Sequence, residues 1–257
     1  MPDYVLYELD QGVARITLNR PEVLNSCNRG MAAQLQSLLQ KASADEAVRC
    51  VLLTGAGRAF CAGQDLAEVS DGTPLDDILE HSYNPVIRLI SRMDKPVVCA
   101  VNGVAAGAGA NIALACDIVL ASRKASFIQS FAHIGLIPDS GGTYFLPRLV
   151  GLARARALAL LGEKIGADDA ADMGLISRAC DAEELEEKAL DLARHLARQP
   201  TRGLGLTKRA LRKSLQNDLD SQLELEKELQ SVAGNTEDYK EGVNAFLEKR
   251  KPKFKGK

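Results

Sequence analysis

VVCAVNGVAAGAGANIALACDIVLA, the stretch from Val97 to Ala121, carries only Asn102, Asn111 and Asp117 as clearly polar groups. Its length would suffice to cross a bilayer. Asn102-Gly103 is a strong turn signal, however, and Asp117 would set a carboxylate among the apolar residues. A buried strand over residues 97–101, a turn, a helix with no polar face over residues 109–116 and a second strand over residues 118–121 account for the pattern without a membrane. The small residues Ala106-Gly107-Ala108-Gly109-Ala110-Asn111 then form a turn that leaves a strand. An upstream counterpart, Ala62-Gly63-Gln64-Asp65, comes after the apolar run Val51-Leu52-Leu53-Thr54. Turns built from small residues expose backbone N–H groups that side chains would otherwise block. Two such N–H groups aimed at one point stabilise a developing oxyanion, which suggests chemistry on a carbonyl compound.

On either side of these turns the chain reads as an α/β core followed by helices. Residues 4–9 and 13–18 alternate around Asp10-Gln11-Gly12 and predict a hairpin. Met31, Leu35, Leu38 and Leu39 recur at helical spacing within residues 29–44. A strand is expected over residues 50–54, an acidic, turn-prone mobile loop over 68–76, a helix over 75–93, and a short strand over 126–128. The last hundred or so residues predict helices over 153–161, 167–173, 183–198, 205–232 and 237–249, with Thr236 as N-cap of the last. No internal repeat is visible by inspection.

The chain has 257 residues, 46% of them hydrophobic and 26% charged, with a formal net charge of −2. That balance gives no electrostatic footprint for nucleic acid, and the absence of Trp removes the best base-stacking platform. Cys27, Cys50, Cys61, Cys99, Cys116 and Cys180 form no CxxC pair, and most lie in apolar runs. Reduced thiols, no signal peptide and a cytoplasmic location are expected. Cys61, beside the first glycine turn, has no His near it in sequence to activate it. His81, His133 and His195 make neither HxxxH nor HExxH spacing, so no metal site is expected. Gly107-Ala108-Gly109 begins a dinucleotide fingerprint, but Ile112 stands at its third glycine.

Ile137-Pro138-Asp139-Ser140-Gly141-Gly142 puts a carboxylate in a tight turn before a helix that starts near Thr143. Asp139 reads either as a turn or N-cap residue or, in an apolar pocket, as a proton shuttle with a raised pKa. Ser140 lacks the Gly-x-Ser-x-Gly elbow of a nucleophile. Asp65 and Glu68 read as an acid pair or as solvated groups at a helix start. Asn111 must find buried partners, either substrate or backbone.

Three motifs in this order resemble the enoyl-CoA hydratase/isomerase (crotonase) family: Ala59-Phe60-Cys61-Ala62-Gly63-Gln64-Asp65-Leu66, Lys95-Pro96-Val97 through Asn102 to Gly109, and Ile137 to Thr143. The resemblance spans almost the whole chain. It implies a spiral core of β-β-α units over residues 1–200 and a helical trimerisation region over 201–257. It also implies acyl-CoA thioester substrates, no cofactor beyond the CoA carried by the substrate, and trimers or hexamers. By resemblance the oxyanion donors are the N–H groups of Gln64 and Ala108, with Gly63 or Gly109 as neighbouring registers. Val23, Leu24, Ala62, Gly63, Asp65, Leu66 and Gly109 would line the substrate and its CoA, and Phe246 and Lys249 would reach a neighbouring subunit's CoA pocket. The positions matching the two glutamates of family hydratases hold Asn111 and Phe131, which cannot add water by that route. Asp139 matches a carboxylate of several family isomerases. The stretch from Val101 to Asn111, the run Ser126-Phe127-Ile128-Gln129-Ser130-Phe131 through Pro138-Asp139-Ser140, Glu80-His81-Ser82-Tyr83-Asn84-Pro85 and Asp238 to Val243 are similar to the subgroup that rearranges ring-epoxidised phenylacetyl-CoA in phenylacetate breakdown. The expected activity is therefore an acyl-CoA isomerase. It would convert the ring-1,2-epoxide to an oxepin thioester, relocate a proton between the α and γ carbons of an enoyl thioester, or both. A 2-enoyl-CoA hydratase, or a non-catalytic acyl-CoA-binding partner of a related hydratase, are the alternatives.

Overall fold

Five strands pair side by side to make the centre of the molecule. In the computed structural model, which describes residues 2–68 and 72–257, β2 (Val13–Leu18), β3 (Cys50–Gly55), β5 (Val97–Val101), β7 (Ile118–Ser122) and β10 (Arg178–Cys180) pair in parallel. The expected hairpin partner β1 (Val5–Asp10) adds an antiparallel edge. Side chains alternate across this sheet. Val13, Cys50, Leu52, Val98, Ala100 and Leu120 face one way, against Leu185, Ala189, Ala193 and Ala197 of α7 (Leu185–Ala197). Ile16, Val51, Leu53, Val97, Cys99, Val101 and Val119 face the main core. Cover on both faces explains why β5 is apolar at every position.

A second sheet joins β4 (Ala59–Cys61), β6 (Val104–Ala106), β8 (Ser126–Ile128) and β9 (Lys164–Gly166). Each of the units β3-β4, β5-β6 and β7-β8 gives its first strand to the larger sheet and its second to the smaller, and helix then follows. The internal repeat that inspection of the sequence misses is this β-β-α turn. Its second strands are three residues each, too short to show a period. The stretch from Val97 to Ala121 is β5, β6, α4 (Ala108–Leu114) and part of β7, and every residue of α4 is buried. Among the described residues no helix is long and apolar enough to cross a membrane.

Helix α1 (Arg29–Ala44) has the expected bounds. The Asn28 side chain caps it by accepting from Met31 N at 2.8 Å, and Met31, Leu35 and Leu39 are its buried face. The helix expected over 75–93 runs as α2 (Leu75–Ile78), a π-helical turn (Leu79–Tyr83) and α3 (Asn84–Arg92). Pro85 has no N–H to give the His81 carbonyl, and the Gln36 side chain of α1 supplies that donor at 2.8 Å. The mobile-loop expectation falls partly on residues 69–71, outside the described residues.

Two helical expectations need correction. Residues 153–161 are the second half of α5 (Gly142–Leu161), which kinks at Gly151 (φ 75°). Residues 205–232 are not one helix but the greater part of α8 (Thr201–Ser214) and α9 (Leu219–Gly234). Asp218 caps α9 by accepting from Ser221 N at 2.7 Å, so local side-chain-to-backbone bonding overrides the apolar period that runs through both helices. Beyond α6 (Ala167–Asp172), strand β10, α7, α8 and α9 lies α10 (Glu237–Leu247), capped by Thr236 as expected, with Tyr239 N donating to Thr236 Oγ1 at 3.0 Å.

The C-terminal elements are tied back to the sheets. Lys208 Nζ donates to the Ile90 carbonyl at 2.8 Å and pairs with Asp117 at 2.7 Å. The Arg49 guanidinium donates to the carbonyls of Gln199 (2.5 Å) and Phe254 (2.9 Å) and to Thr201 Oγ1 (2.7 Å). Asp238 accepts from the N–H groups of Lys255 and Gly256.

Candidate active site

Strand β4 delivers the first glycine turn. Cys27 N donates to the Gly63 carbonyl at 2.7 Å and Asp65 N donates to the Cys27 carbonyl at 3.0 Å, which forms a one-residue parallel bridge between Cys27 and Gln64. In that geometry the N–H of Gln64 points away from Cys27. The second turn leaves β6 at Ala106. Gly107 N donates to the Ile128 carbonyl at 2.9 Å, and α4 begins at Ala108, whose N–H is the first unsatisfied donor of a helix N-terminus. Among the described residues neither the Gln64 nor the Ala108 N–H has an acceptor.

The two turns touch. A Cβ on Gly63 would lie 2.9 Å from the Ala106 carbonyl oxygen and 3.8 Å from Ala108 N; one on Gly109 would lie 2.3 Å from the Cys61 carbonyl oxygen. Only glycine permits this approach at Gly109. The stacking of successive β-β-α units brings equivalent corners together, so turns far apart in sequence share one site. The segment holding Val23 and Leu24 lies alongside: Ala62 N donates to the Leu24 carbonyl at 3.0 Å, and the buried Asn25 amide donates to the Ala56 and Ala59 carbonyls. Val23 and Leu66 present apolar side chains to solvent there, Leu66 at 61% exposure.

Each of the two acids at the first turn is engaged by a partner rather than free in solvent, and the described residues 66–68 are turn. Asp65 pairs with Arg20 at 2.8 Å with both side chains largely buried, and its Oδ1 accepts from Ala67 N. Glu68 accepts from Arg29 N at 2.9 Å, at the positive end of α1. Both carboxylates therefore hold the turn in place.

Asp139 lies between the 3-10 turn Ser130–Ile134 and α5. The reading of Asp139 as an N-cap fails. Gly141 occupies that position, and the Asp139 main-chain carbonyl, not its carboxylate, closes the turn by accepting from Gly142 N at 2.7 Å. Ser140 Oγ donates to Asp139 Oδ1 at 2.9 Å. Burial pushes the Asp139 carboxyl above the usual carboxylate range, and the Ser140 hydroxyl partly opposes that. Just before it in the chain, Ile134, Leu136 and Ile137 expose apolar side chains, Ile137 at 78%.

Asn111, one helical turn after Ala108, is fully buried. Its amide donates to the Asp139 carbonyl at 2.8 Å and its oxygen accepts from Gln129 Nε2 at 2.9 Å. Of the two partners left open for Asn111, the structure gives it backbone, together with a second side chain. Phe131 is buried, and its ring atom Cζ lies 3.7 Å from where a Gly107 Cβ would sit. Gln64, Ala108, Asn111, Phe131 and Asp139 thus form one connected neighbourhood. Phe246 and Lys249 belong to the C-terminal elements, with Phe246 83% exposed.

Sequence reasoning missed three supports of the site: Arg20, Gln129 and Tyr83, whose buried hydroxyl donates to the Cys27 carbonyl at 3.3 Å. Each acts across a long sequence separation that no spacing rule encodes. All six cysteines are free and buried, and burial pushes the Cys61 thiol up to about 11, so it stays protonated and inert at neutral pH. His133 is exposed against the Leu161 carbonyl. Among the described residues no three His, Cys, Asp or Glu side chains group as a metal would require.

A protein-family model described as enoyl-CoA hydratase/isomerase matches residues 8–257. The chain is 52% identical over 262 residues to a 1,2-epoxyphenylacetyl-CoA isomerase of Escherichia coli (strain K12), with all of both chains covered (100% and 100%). It is 38% identical to a 2,3-dehydroadipyl-CoA hydratase of the same strain, over 96% of each chain. The crystal structure of an enoyl-CoA hydratase from Bacillus anthracis superposes with a TM-score of 0.93 at 34% identity, covering 99% of this chain and 100% of that one.

Proposed function

Because this chain belongs to the enoyl-CoA hydratase/isomerase family, we propose that its two glycine turns bind the thioester oxygen of an acyl-CoA and that Asp139 moves the proton. The observation that carries this reading is the site's composition. A half-buried carboxyl with a raised pKa sits on the turn whose main-chain carbonyl Asn111 ties to the second glycine turn, and the two positions beside that turn hold an amide and a phenyl ring.

With a 3-enoyl thioester, Asp139 takes a proton from the α carbon. The electron pair runs into the thioester and leaves a dienolate whose oxygen accepts from Gln64 N–H and Ala108 N–H. Asp139 then returns the proton at the γ carbon, and the double bond lies between α and β. One such donor is worth roughly 3 kcal/mol. A carboxylate with a raised pKa suits both halves of the transfer. With ring-1,2-epoxyphenylacetyl-CoA, the substrate class carried in the name of the relative at 52% identity, the same site promotes rearrangement to the seven-membered oxepin thioester. That rearrangement is an isomerisation that leaves no proton to dispose of. No metal or redox group enters either scheme, and the CoA is part of the substrate.

Val23, Leu24, Ala62 and Leu66 flank the first turn and would cover the CoA arm, and the apolar Ile134–Ile137 edge would border the acyl group. The exposed apolar residues of the C-terminal helices, Leu211, Leu215, Leu219, Phe246 and Leu247, support self-association as a trimer or a pair of trimers. In such an assembly Phe246 and Lys249 would approach a neighbour's CoA. A cytoplasmic enzyme that can also partner a related hydratase completes the proposal.

The test is a turnover screen with 3-enoyl-CoA, crotonyl-CoA and epoxidised phenylacetyl-CoA, read by absorbance and mass spectrometry, on the wild type and Asp139→Asn. Isomerisation by the wild type is expected, with loss of double-bond shifting in the variant by about 10²–10⁴-fold while acyl-CoA still binds. Rapid hydration of crotonyl-CoA, or full double-bond shifting by Asp139→Asn, would overturn the reading.

A further inference from the structure

We propose that Asn111, itself held by Gln129, is a positioning residue that fixes the Asp139 turn relative to the N-terminus of α4. The proposal rests on Asp139 as the proton-transfer group and adds what keeps it at a set distance from the oxyanion donor Ala108. The direction of the chain of bonds is forced. A main-chain carbonyl can only accept, so the Asn111 group facing Asp139 is its NH₂ (2.8 Å). That turns Asn111 Oδ1 toward Gln129, which must then present its own NH₂ (2.9 Å). Neither amide can flip without breaking the chain. Gln129 engages through that group alone, since its Oε1 makes no bond among the described residues. Both side chains are at least nine-tenths buried, so water does not compete for these bonds.

The connection is tight as well as directional. The Asp139 carbonyl takes a second bond, from Gly142 N at 2.7 Å, and a Cβ on Gly142 would fall 2.4 Å from Asn111 Nδ2. The first turn of α5 is therefore packed directly on the Asn111 amide. Asn111 lies on the short helix that starts at Ala108, so α4, the 129–131 segment and α5 meet at one side chain. A carboxylate at this position would face the Asp139 carbonyl with no hydrogen to give it.

Among the described residues the groups that act on the Asp139 carboxyl or its turn are the Ser140 hydroxyl and the Gly142 N–H from the chain that follows it, the Asn111 amide from α4 and the Tyr83 phenol from the π-helical turn. The phenol is held well above its ordinary pKa by burial and stays neutral, so the rising limb of the kcat–pH profile reports Asp139.

The experiment measures kcat, KM and that limb with a 3-enoyl-CoA for the wild type, Asn111→Ala, Asn111→Asp and Asp139→Asn. Asn111→Ala frees the turn and admits water. It is expected to lower kcat about ten- to a hundredfold with KM little changed, and to move the limb down toward the ordinary carboxylate range. Asn111→Asp keeps the shape and the Gln129 bond but loses the donor and adds a charge. It is expected to lower kcat with the limb moved up, and it carries the test by itself if the alanine variant does not fold. Limb shifts in these directions support a positioning role, because a loss of stability alone would lower active-enzyme concentration without moving the limb. A wild-type kcat or an unshifted limb in the folded variants overturns the proposal. Full double-bond shifting by Asp139→Asn would refute the underlying role of Asp139, which is a separate failure.

Discussion

Asp139 sits where a charge is costly. Its carboxyl is pushed up by burial, so the folded protein holds that proton more tightly than the unfolded chain does. The contribution to stability is fully present below the unfolded value of about 3.9 and is lost as pH rises through the folded value. Asp139→Asn removes the titration. The variant is expected to melt at a higher temperature than the wild type at neutral pH, with the gap closing as pH falls toward 4. Thermal denaturation of both across pH checks this, and a gap independent of pH would contradict it. At this scale the sequence was informative about groups whose local pattern carries the signal: the two glycine turns and the turn aspartate. It was silent on Asn111–Gln129, Arg20–Asp65 and Tyr83–Cys27. In each pair the partners are far apart in the chain, and a single directed hydrogen bond or ion pair leaves no period or spacing to read.

Among the elements, what matters most is how closely the corner after β4 approaches the corner after β6. A methyl at position 109 would meet the Cys61 carbonyl oxygen at 2.3 Å, and both partners are buried main chain that cannot swing aside. Gly109→Ala is therefore expected to part the two turns. It should cost about 1–3 kcal/mol in urea denaturation and about 10²–10³ in kcat, the loss seen when one oxyanion donor is displaced. A variant that denatures at the wild-type midpoint with wild-type kcat would show that the corners have slack. The legibility of elements followed their length and environment. Helix α1 is a long amphipathic element with its own cap, and its bounds could be read directly. Strands β4, β6 and β9 are three residues each and are defined by their neighbours, so they could not be read. Helices α8 and α9 share one apolar period, and only the capping bond at Asp218 separates them.

For the whole molecule, the apolar surface left on α8, α9 and α10 is the feature a lone protomer does not account for. Leu211, Leu215, Leu219, Phe246 and Leu247 are each more than half exposed. Light scattering after size exclusion is expected to give three or six times the protomer mass. Phe246→Asp together with Leu247→Asp should shift the distribution toward protomers, and a monodisperse protomer for the wild type would refute self-association. The Arg49 clamp has a consequence for how the chain is made. Its half-buried guanidinium takes partners at Gln199, Thr201 and Phe254, each at least 150 residues further along the chain. During synthesis the strands beside Arg49 can register before any of these partners has been made, so the cation keeps its hydration until the segment through Phe254 arrives. The nascent chain can thus reach a nearly finished core and still lack this clamp, which closes as a late step of folding.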